Sequence, residues 1–391
     1  MRAPDDLLPD RPPWSEPSRE DLVPLPAHVD VCVIGGGLAG LEIARRLRSK
    51  AASVLVLEGR ARPGEGTVAR DPGVLTGGLP EHPWRLVEAI GEARTRQLYD
   101  LSDRSLQRVE ALVGEVEPCV HAAIDERELG ELDRSSAALA ALGKQVERLD
   151  AADTCAAIGG EGFTGGMRVL GEGGVDTHQL VLNLARRVRT AGVVIASHTE
   201  AQRLAQDAQG HLIRTSRGTV RADAVVITGG IGAVGVLPWL QDKLVPVREH
   251  AIRIPSHPRV APGRAQYGYV SWRAEQEHVL VSGCRWATQH MEVQETVEQP
   301  RQVVVDKIVG FARSHLLADG APTHAWARIL TATCDGLPIT GPFPGDPTIV
   351  VCTGFQGFGA SLALAAGRDV AEGMLTGTSP LPHWLAPQRF L

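Results

Sequence analysis

The sequence predicts an α/β fold: a doubly wound, mostly parallel sheet joined to an α+β domain with a mixed or antiparallel sheet. Three stretches carry that prediction. Asp30-Val-Cys-Val-Ile-Gly-Gly-Gly-Leu-Ala-Gly-Leu-Glu-Ile-Ala44 reads as an apolar strand, a glycine turn and an amphipathic helix over 38–47, and Val54-Leu-Val-Leu-Glu58 follows as a second buried strand. Near the other end, the strand 348–353, the turn Gly354-Phe-Gln-Gly-Phe-Gly359 and a helix over 360–375 repeat the pattern. Between them, residues 245–325 alternate in the manner of strands, with Tyr267, Tyr269, Val270 and Trp272 ahead of Val279-Leu-Val-Ser-Gly283 and a helix over 296–317.

The first stretch has a physical purpose at each glycine. Gly35 permits a tight turn off the strand, Gly37 lets the backbone approach a pyrophosphate, and Gly40 lets the helix pack closely on the strand. The helix opened by Leu38 and Ala39 aims unpaired N–H groups and the positive end of its dipole at phosphates. Glu58 ends the second strand 18 residues beyond Gly40, near the roughly 20-residue spacing of a carboxylate that accepts from a ribose 2′-OH. A bare GxGxxG is a weak signal in a chain with 43 glycines; the flanking strand, helix and acid make it specific. NAD and FAD both fit this unit.

Composition narrows the partners. The 391 residues, 43% hydrophobic, suffice for a large core and two domains. A net charge of −6 and a pI near 6.1 without a basic run disfavour nucleic acid and anionic membrane surfaces, leaving a small molecule as the expected partner and the oligomeric state open. Cys32, Cys119, Cys155, Cys284, Cys334 and Cys352 form no CxxC pair, so neither a disulfide framework nor a metal site is expected. Residues 1–27 lack the apolar core of a signal peptide, and no run of about 18 apolar residues follows. The expectation is a cytoplasmic protein with no membrane span. Within the leader, Arg11-Pro-Pro-Trp14 reads either as an unstructured lead-in or as an arm packing its one aromatic on the body.

The loop after Glu58, with Gly59, Arg60, Gly66, Thr67, Arg70, Asp71 and Gly73, leaves the carboxyl end of a strand, where doubly wound sheets bind ligands. It is therefore expected to touch the cofactor, with Arg70 serving phosphate or flavin oxygens. Residues 81–149 carry helical spacing (Leu86, Ile90, Leu98, Leu106, Val109, Leu112) and read as an inserted helical block. The buried strand Ala224-Val-Val-Ile-Thr-Gly229-Gly230 ends on glycines suited to a close ligand. Trp239, Trp272, Trp286 and Trp326 suggest aromatic core packing or a flat-faced pocket. The second glycine turn aims a helix amino-terminus at a ring system, which suits a flavin, anionic when reduced, better than a nicotinamide. The expected domains are an arm (1–27), a discontinuous cofactor domain (28–80, 165–235 and 326–380), a helical insert with a substrate domain (81–164 and 236–325) and a tail (381–391).

Taken in order, Val33 to Gly40, Glu58, the Gly64 to Gly73 loop, Val175-Asp-Thr-His-Gln-Leu180, Ala224 to Gly230, Trp326 with Asp335-Gly-Leu-Pro-Ile-Thr-Gly341, Gly354 to Gly359 and Pro387-Gln-Arg-Phe390 resemble the D-amino acid oxidase-like family of FAD-dependent oxidoreductases. That family includes glycine, sarcosine and γ-glutamylputrescine oxidases, and the leader with Trp14 looks most like the last branch. The resemblance covers roughly 29–391. It implies a Rossmann-like, glutathione reductase-type FAD-binding domain, adenine contact by the backbone at Ala201, an isoalloxazine held by the Gly64 loop and by Phe355, Gln356, Gly357, Phe358 and Gly359, and a second sheet over the substrate. Gly229, Gly230 and Gly341 belong to the same cofactor set. Where some sarcosine oxidases carry a flavin-linking cysteine this chain has Arg328, so the FAD is expected to be noncovalent. Leu330 stands where glycine oxidase-like members carry a carboxylate-gripping arginine, Val281 where monomeric sarcosine oxidases carry a lysine that helps oxygen react, and Ser361 where another lysine lies beside the flavin. Arg328 is the candidate to replace that arginine.

The implied activity is oxidation of a C–N bond of an amine or amino acid by hydride transfer to flavin N5, giving an imine that hydrolyses, with electrons passing to O2 or another acceptor. No side chain is required as an obligatory base. His82, His250, Trp272, Trp326, Arg328 and Gln356 are the candidate pocket members, the histidines with surface or structural roles as the alternative. Two other readings stay open: a flavin-binding subunit of a larger complex with a degenerate substrate pocket, and a nicotinamide-dependent dehydrogenase.

Overall fold

The computed structural model describes residues 8–15, 22–50, 52–256 and 259–391; the rest of the leader, residues 1–7 and 16–21, lies outside them. The chain divides into two compact units. The first comprises residues 16–69, 178–246 and 330–391, the second residues 1–15, 70–177 and 247–329.

Among the described residues the first unit is built on an eight-stranded sheet. His28–Ile34 lies parallel between Gly218–Ile227 and Val54–Leu57; Val194–Ala196 and Asp346–Thr353 extend the parallel part on either side. Val31 to Ile34 and Val54 to Leu57 are continuous apolar runs because both faces of these strands are covered. Ala201–Asp207, Gly210–Thr215 and Gly218–Ile227 pair antiparallel and continue the sheet, and Ile339–Phe343 pairs antiparallel with Asp346–Thr353. Leu38–Arg48 buries Leu41, Ile43, Ala44 and Leu47 and turns its arginines outward. Gly367, within the helix Gly359–Thr376, lies against the Ala39 carbonyl, an approach a side chain would block.

The second unit's sheet runs, in order, His324–Thr333, Leu244–Pro255, His278–Gly283, Val270–Glu275, Gly263–Ala265, Val120–Ala123, Gly165–Val169 and Val146–Leu149. It is mixed: Gly263–Ala265 and Val120–Ala123 are parallel neighbours among antiparallel ones. The block 81–149 is therefore not wholly helical. Pro83–Ile90, Glu92–Val113 and Glu126–Ala141 are helices, but Val120–Ala123 and Val146–Leu149 are strands. Val120 and Ala122 alternate into the core over too few residues to show beside two strong helical periods. The expected helix over 296–317 is shortened to Gln302–His315, because Pro300 disfavours helical geometry at Gln299.

One face of this sheet packs Trp272 between Phe163 and Phe311, with ring centroids 6.0 and 5.6 Å away, and the Trp272 indole N–H donates to the Ala261 carbonyl at 2.9 Å. On the other face, Ala251, Leu280 and Trp326 cluster with Trp14. The leader is thus a packed arm over residues 8–15. Leu8 meets the core, the Pro9 carbonyl accepts from Ala325 N–H at 3.1 Å, and Trp14 stands edge-on to Trp326 at 5.8 Å.

Trp272 is fully buried and hydrogen-bonded, so Trp272→Ala should destabilise the fold by about 3–5 kcal/mol, read from urea denaturation.

Candidate functional site

In the first unit the glycine turn is held as the sequence requires. Gly35 has φ +111° and faces the Gly229 backbone at a distance a Cβ could not share. A Cβ on Gly40 would overlap the Gly35 carbonyl oxygen, which also accepts from the Thr228 hydroxyl at 2.9 Å. Gly37 is different: a Cβ there would meet no atom of the described residues within 4 Å. Protein packing explains Gly35 and Gly40 but leaves the space over Gly37 open, beside the N-terminus of the helix Leu38–Arg48 that carries no side-chain cap. These residues fit a dinucleotide pyrophosphate.

Glu58 organises the neighbouring end. Its Oε2 accepts from Gly36 N–H at 3.0 Å and its Oε1 from Arg60 N–H at 2.8 Å. Burial pushes its carboxyl above the usual range, against the pull of those two N–H groups. Thr199 N–H donates to the Glu58 carbonyl at 2.7 Å and His198 N–H to the Arg60 carbonyl at 2.8 Å, so Gly59 lies beside Glu200 and next to Ala201, the first residue of its strand. Glu58, Gly59 and Arg60 thus lie against the segment 198–200 that leads into Ala201. Gly66 has only the Arg60 Nε near its Cβ position, at 3.8 Å, and Thr67 follows it.

Gly230, at φ +60°, packs on Thr331, whose hydroxyl accepts from Ile231 N–H at 3.0 Å. Gly341, at φ +138°, faces Pro387 and Ala386. Gln356 sits at φ 54°, its N–H donating to the Thr331 carbonyl at 3.0 Å and its side-chain amide to the Gly336 carbonyl. Phe358 N–H donates to the Phe355 carbonyl at 2.8 Å, Gly357 lies 3.3 Å from Leu330 when given a Cβ, and Gly359 opens its helix with nothing within 4 Å. Leu330, the residue in the arginine's place, therefore packs against the second glycine turn.

In the second unit the remaining candidates separate. Arg70 donates to Glu298 at 2.9 Å and to the Ala327 carbonyl at 3.0 Å. Asp71 accepts from Gly73 N–H at 2.7 Å and pairs with Arg328, which also pairs with Glu249, its Nε at 2.7 Å. Burial works against the Arg328 charge, but the two carboxylates overcome it and hold its pKa above the ordinary value. A guanidinium gripped by two carboxylates is already neutralised, which weakens Arg328 as a stand-in for the missing arginine. Trp326 is fully buried and donates to the Arg70 carbonyl at 3.0 Å, whereas Trp272 belongs to the opposite, core face.

His250 is fully buried, neither ring nitrogen has a hydrogen-bond partner among the described residues, and Nε2 lies 3.9 Å from Glu292. Burial lowers its pKa to about 4, despite the opposing pull of Glu292. His82 lines a cavity, its Nδ1 3.0 Å from the Ser135 hydroxyl and its ring edge-on to Tyr267 at 6.0 Å. Arg264, Glu172 and His121 share that cavity and were not singled out in the sequence; a charged residue on a strand otherwise reading as core was the available signal.

Gly40→Ala should destabilise the first unit and yield protein depleted of flavin. Gly37→Ala should keep its denaturation midpoint yet also lose flavin, read from the ratio of visible to ultraviolet absorbance. For His250 the unfolded chain takes up a proton near pH 6.5 while the folded one resists until about 4. Stability from this residue is therefore full above pH 6.5 and lost as pH falls towards 4, and His250→Leu should flatten that part of a stability profile measured by urea denaturation.

Comparison with known proteins agrees with this geometry. A family described as FAD dependent oxidoreductase (DAO) matches residues 30–373. The chain is similar to the probable oxidoreductase OrdL of Rhizobium meliloti, 24% identical over 387 residues covering 93% of this chain and 86% of that one. It is also similar to glycine oxidase of Geobacillus kaustophilus, 26% identical over 355 residues covering 88% and 92%. The crystal structure of that organism's glycine oxidase superimposes with a TM-score of 0.72 at 21% identity, over 89% of this chain and 95% of that one. L-proline dehydrogenase from P. horikoshii gives 0.75 at 18%, over 94% and 98%. With its Rossmann-like cofactor unit, its mixed-sheet second unit and a family match over most of its length, the chain belongs to the DAO family of FAD-dependent oxidoreductases.

Proposed function

We propose that this protein oxidises the C–N bond of a small amine or amino acid, using noncovalently held FAD. The observation that carries the reading is the turn at Gly37 beside Glu58, a space that the protein's own packing leaves open and a carboxylate placed to accept from a ribose. FAD, when bound, supplies the two-electron acceptor for a hydride leaving the carbon beside the amine nitrogen, and water hydrolyses the resulting imine. Relatives named glycine oxidase support the substrate class.

The chain's own part is binding and orientation. Glu58 and the backbone at Ala201 would hold the adenosine, and the two glycine turns, the second opening the helix Gly359–Thr376, would hold the pyrophosphate and the ring and favour negative charge there. Leu330, with no charge to offer, and Arg328, paired with Asp71 and Glu249, leave an α-carboxylate without its family anchor on this strand. The proposal therefore favours an amine other than a simple α-amino acid. Noncovalent attachment is supported by Arg328 in the linking position.

The test is an anaerobic absorption titration of purified protein with a panel of amines and amino acids, followed by acid precipitation. The expected outcome is an oxidised-flavin spectrum bleached by one amine class, FAD released into the supernatant, and recolouring in air if oxygen is the acceptor. A flavin that no amine bleaches would sink the C–N reading in favour of a binding subunit, and flavin retained in the pellet would sink noncovalent attachment.

A further inference from the structure

Between the two glycine turns of the first unit runs the segment 228–231, tied by a threonine on each side. On one side Thr228 N–H donates to the Ile34 carbonyl at 2.8 Å, and the Thr228 hydroxyl donates to the Ile34 and Gly35 carbonyls at 3.0 and 2.9 Å. Gly229 follows against Gly35, and Gly230 and Ile231 open the short 3₁₀-helix Gly230–Gly235. On the other side stands Thr331, near the end of the strand His324–Thr333, whose residues from Leu330 onward belong to the first unit.

Thr331 makes two bonds in different directions. Its hydroxyl accepts from Ile231 N–H at 3.0 Å, and its carbonyl accepts from Gln356 N–H at 3.0 Å. The first bond answers a local need. Gly229, which precedes the 3₁₀-helix, has no side chain to satisfy that helix's leading N–H groups, and Thr331 does so from a distant part of the chain. Gly230 leaves the room for it, since a Cβ there would stand 2.8 Å from Thr331 Oγ1. The second bond falls on Gln356, a residue other than glycine held at φ 54°, a conformation that persists where its surroundings fix it. The Gln356 side-chain amide donates to the Gly336 carbonyl, so it braces the same turn rather than reaching for a substrate. The neighbours of Thr331 meet that turn as well: Leu330 packs at Gly357, and the Thr333 methyl fills the space a Cβ on Gly354 would need. Thr331 therefore bonds both the segment that follows from the first glycine turn and the second glycine turn itself.

We propose that Thr331 is a positioning residue for FAD: its hydroxyl and carbonyl fix the separation of the turn at Gly37 from the turn at Gly359, so that one cofactor engages both at once. The proposal rests on the assignment of those turns to the pyrophosphate and the ring made above. Displacements well under 1 Å matter for such a site, because a ligand gripped at two places loses one grip when their spacing drifts. The oxidation states should feel the drift unequally. The second turn opens the helix Gly359–Thr376, whose amino-terminus favours negative charge, so loosening it costs reduced, anionic FAD more than oxidised FAD.

The test is FAD titration of the full-length protein, followed by fluorescence, together with the flavin midpoint potential from dye-equilibrated reduction, for wild type, Thr331→Val and Thr331→Ser. Thr331→Val keeps the shape and removes the acceptor of Ile231 N–H. It is expected to bind oxidised FAD at least tenfold more weakly and reduced FAD a further tenfold more weakly, a fall of about 30 mV in potential for a two-electron couple. Thr331→Ser keeps the hydroxyl and should stay within threefold of wild type on both counts. If Thr331→Val fails to fold, Thr331→Cys, whose sulfur is a weak acceptor, takes its place in the same comparison. A variant that is only less resistant to urea, with wild-type affinity and potential, makes Thr331 structural and overturns the proposal, as does Thr331→Ser failing alongside Thr331→Val. Gly37→Ala and Gly359→Ala separate the two readings, because a Cβ at either position meets no atom of the described residues within 4 Å. If either keeps full FAD affinity, the turn assignment falls and the role of Thr331 with it; if both lose affinity while Thr331→Val binds like wild type, the role of Thr331 alone falls.

Discussion

Everything at the cofactor end depends on one close approach. The helix Leu38–Arg48 must start so near the strand His28–Ile34 and the Gly229 backbone that two of the three fingerprint glycines have no room for a Cβ. The turn this permits brings Gly36 N–H to Glu58, and Glu58 in turn fixes Arg60 N–H and the crossing to Thr199. A carboxylate holding two backbone N–H groups is a rigid device, since its partners cannot rotate away. The third glycine, Gly37, is left as a gap in the packing, which is what a ligand-facing position looks like from the protein side.

The second unit handles buried charge in three ways. Arg328 is matched by Asp71 and Glu249, and breaking such a group leaves a carboxylate uncompensated, so it reads as a rigid joint. His250 stays neutral beside Arg248 and Glu292, where burial outweighs the carboxylate's attraction. Arg264 donates to the Thr76 hydroxyl at 2.8 Å, and burial lowers its pKa against the attraction of Glu172. The difference matters for function. A guanidinium already held by two carboxylates has little left for a ligand.

The arm links sequence novelty to this face. Trp14 stands on Trp326, and Trp326 donates to the Arg70 carbonyl, so a short proline-rich segment supports the same sheet face as Arg328. Edge strands need cover, and Pro9 supplies an acceptor to Ala325 on the edge strand His324–Thr333.

The two strand, glycine turn and helix units were legible in the sequence because each demands residues at fixed spacing: glycines where a Cβ is forbidden, apolar runs where both faces are buried, and an acid at a strand end. The strands Val120–Ala123 and Val146–Leu149 were not legible, since four residues cannot outweigh the helical periods around them. Residue type alone made Trp272 and Trp326 equivalent, and only strand register put them on opposite faces. It likewise made Arg328 look available, and showed Arg264 only as a charge on a strand otherwise reading as core. The sequence by itself determined the cofactor class and the parallel core, because those are local rules about backbone and spacing. Tertiary structure decided which charges are matched and which are enclosed with a cavity, because pairing depends on neighbours hundreds of residues away that no local pattern encodes.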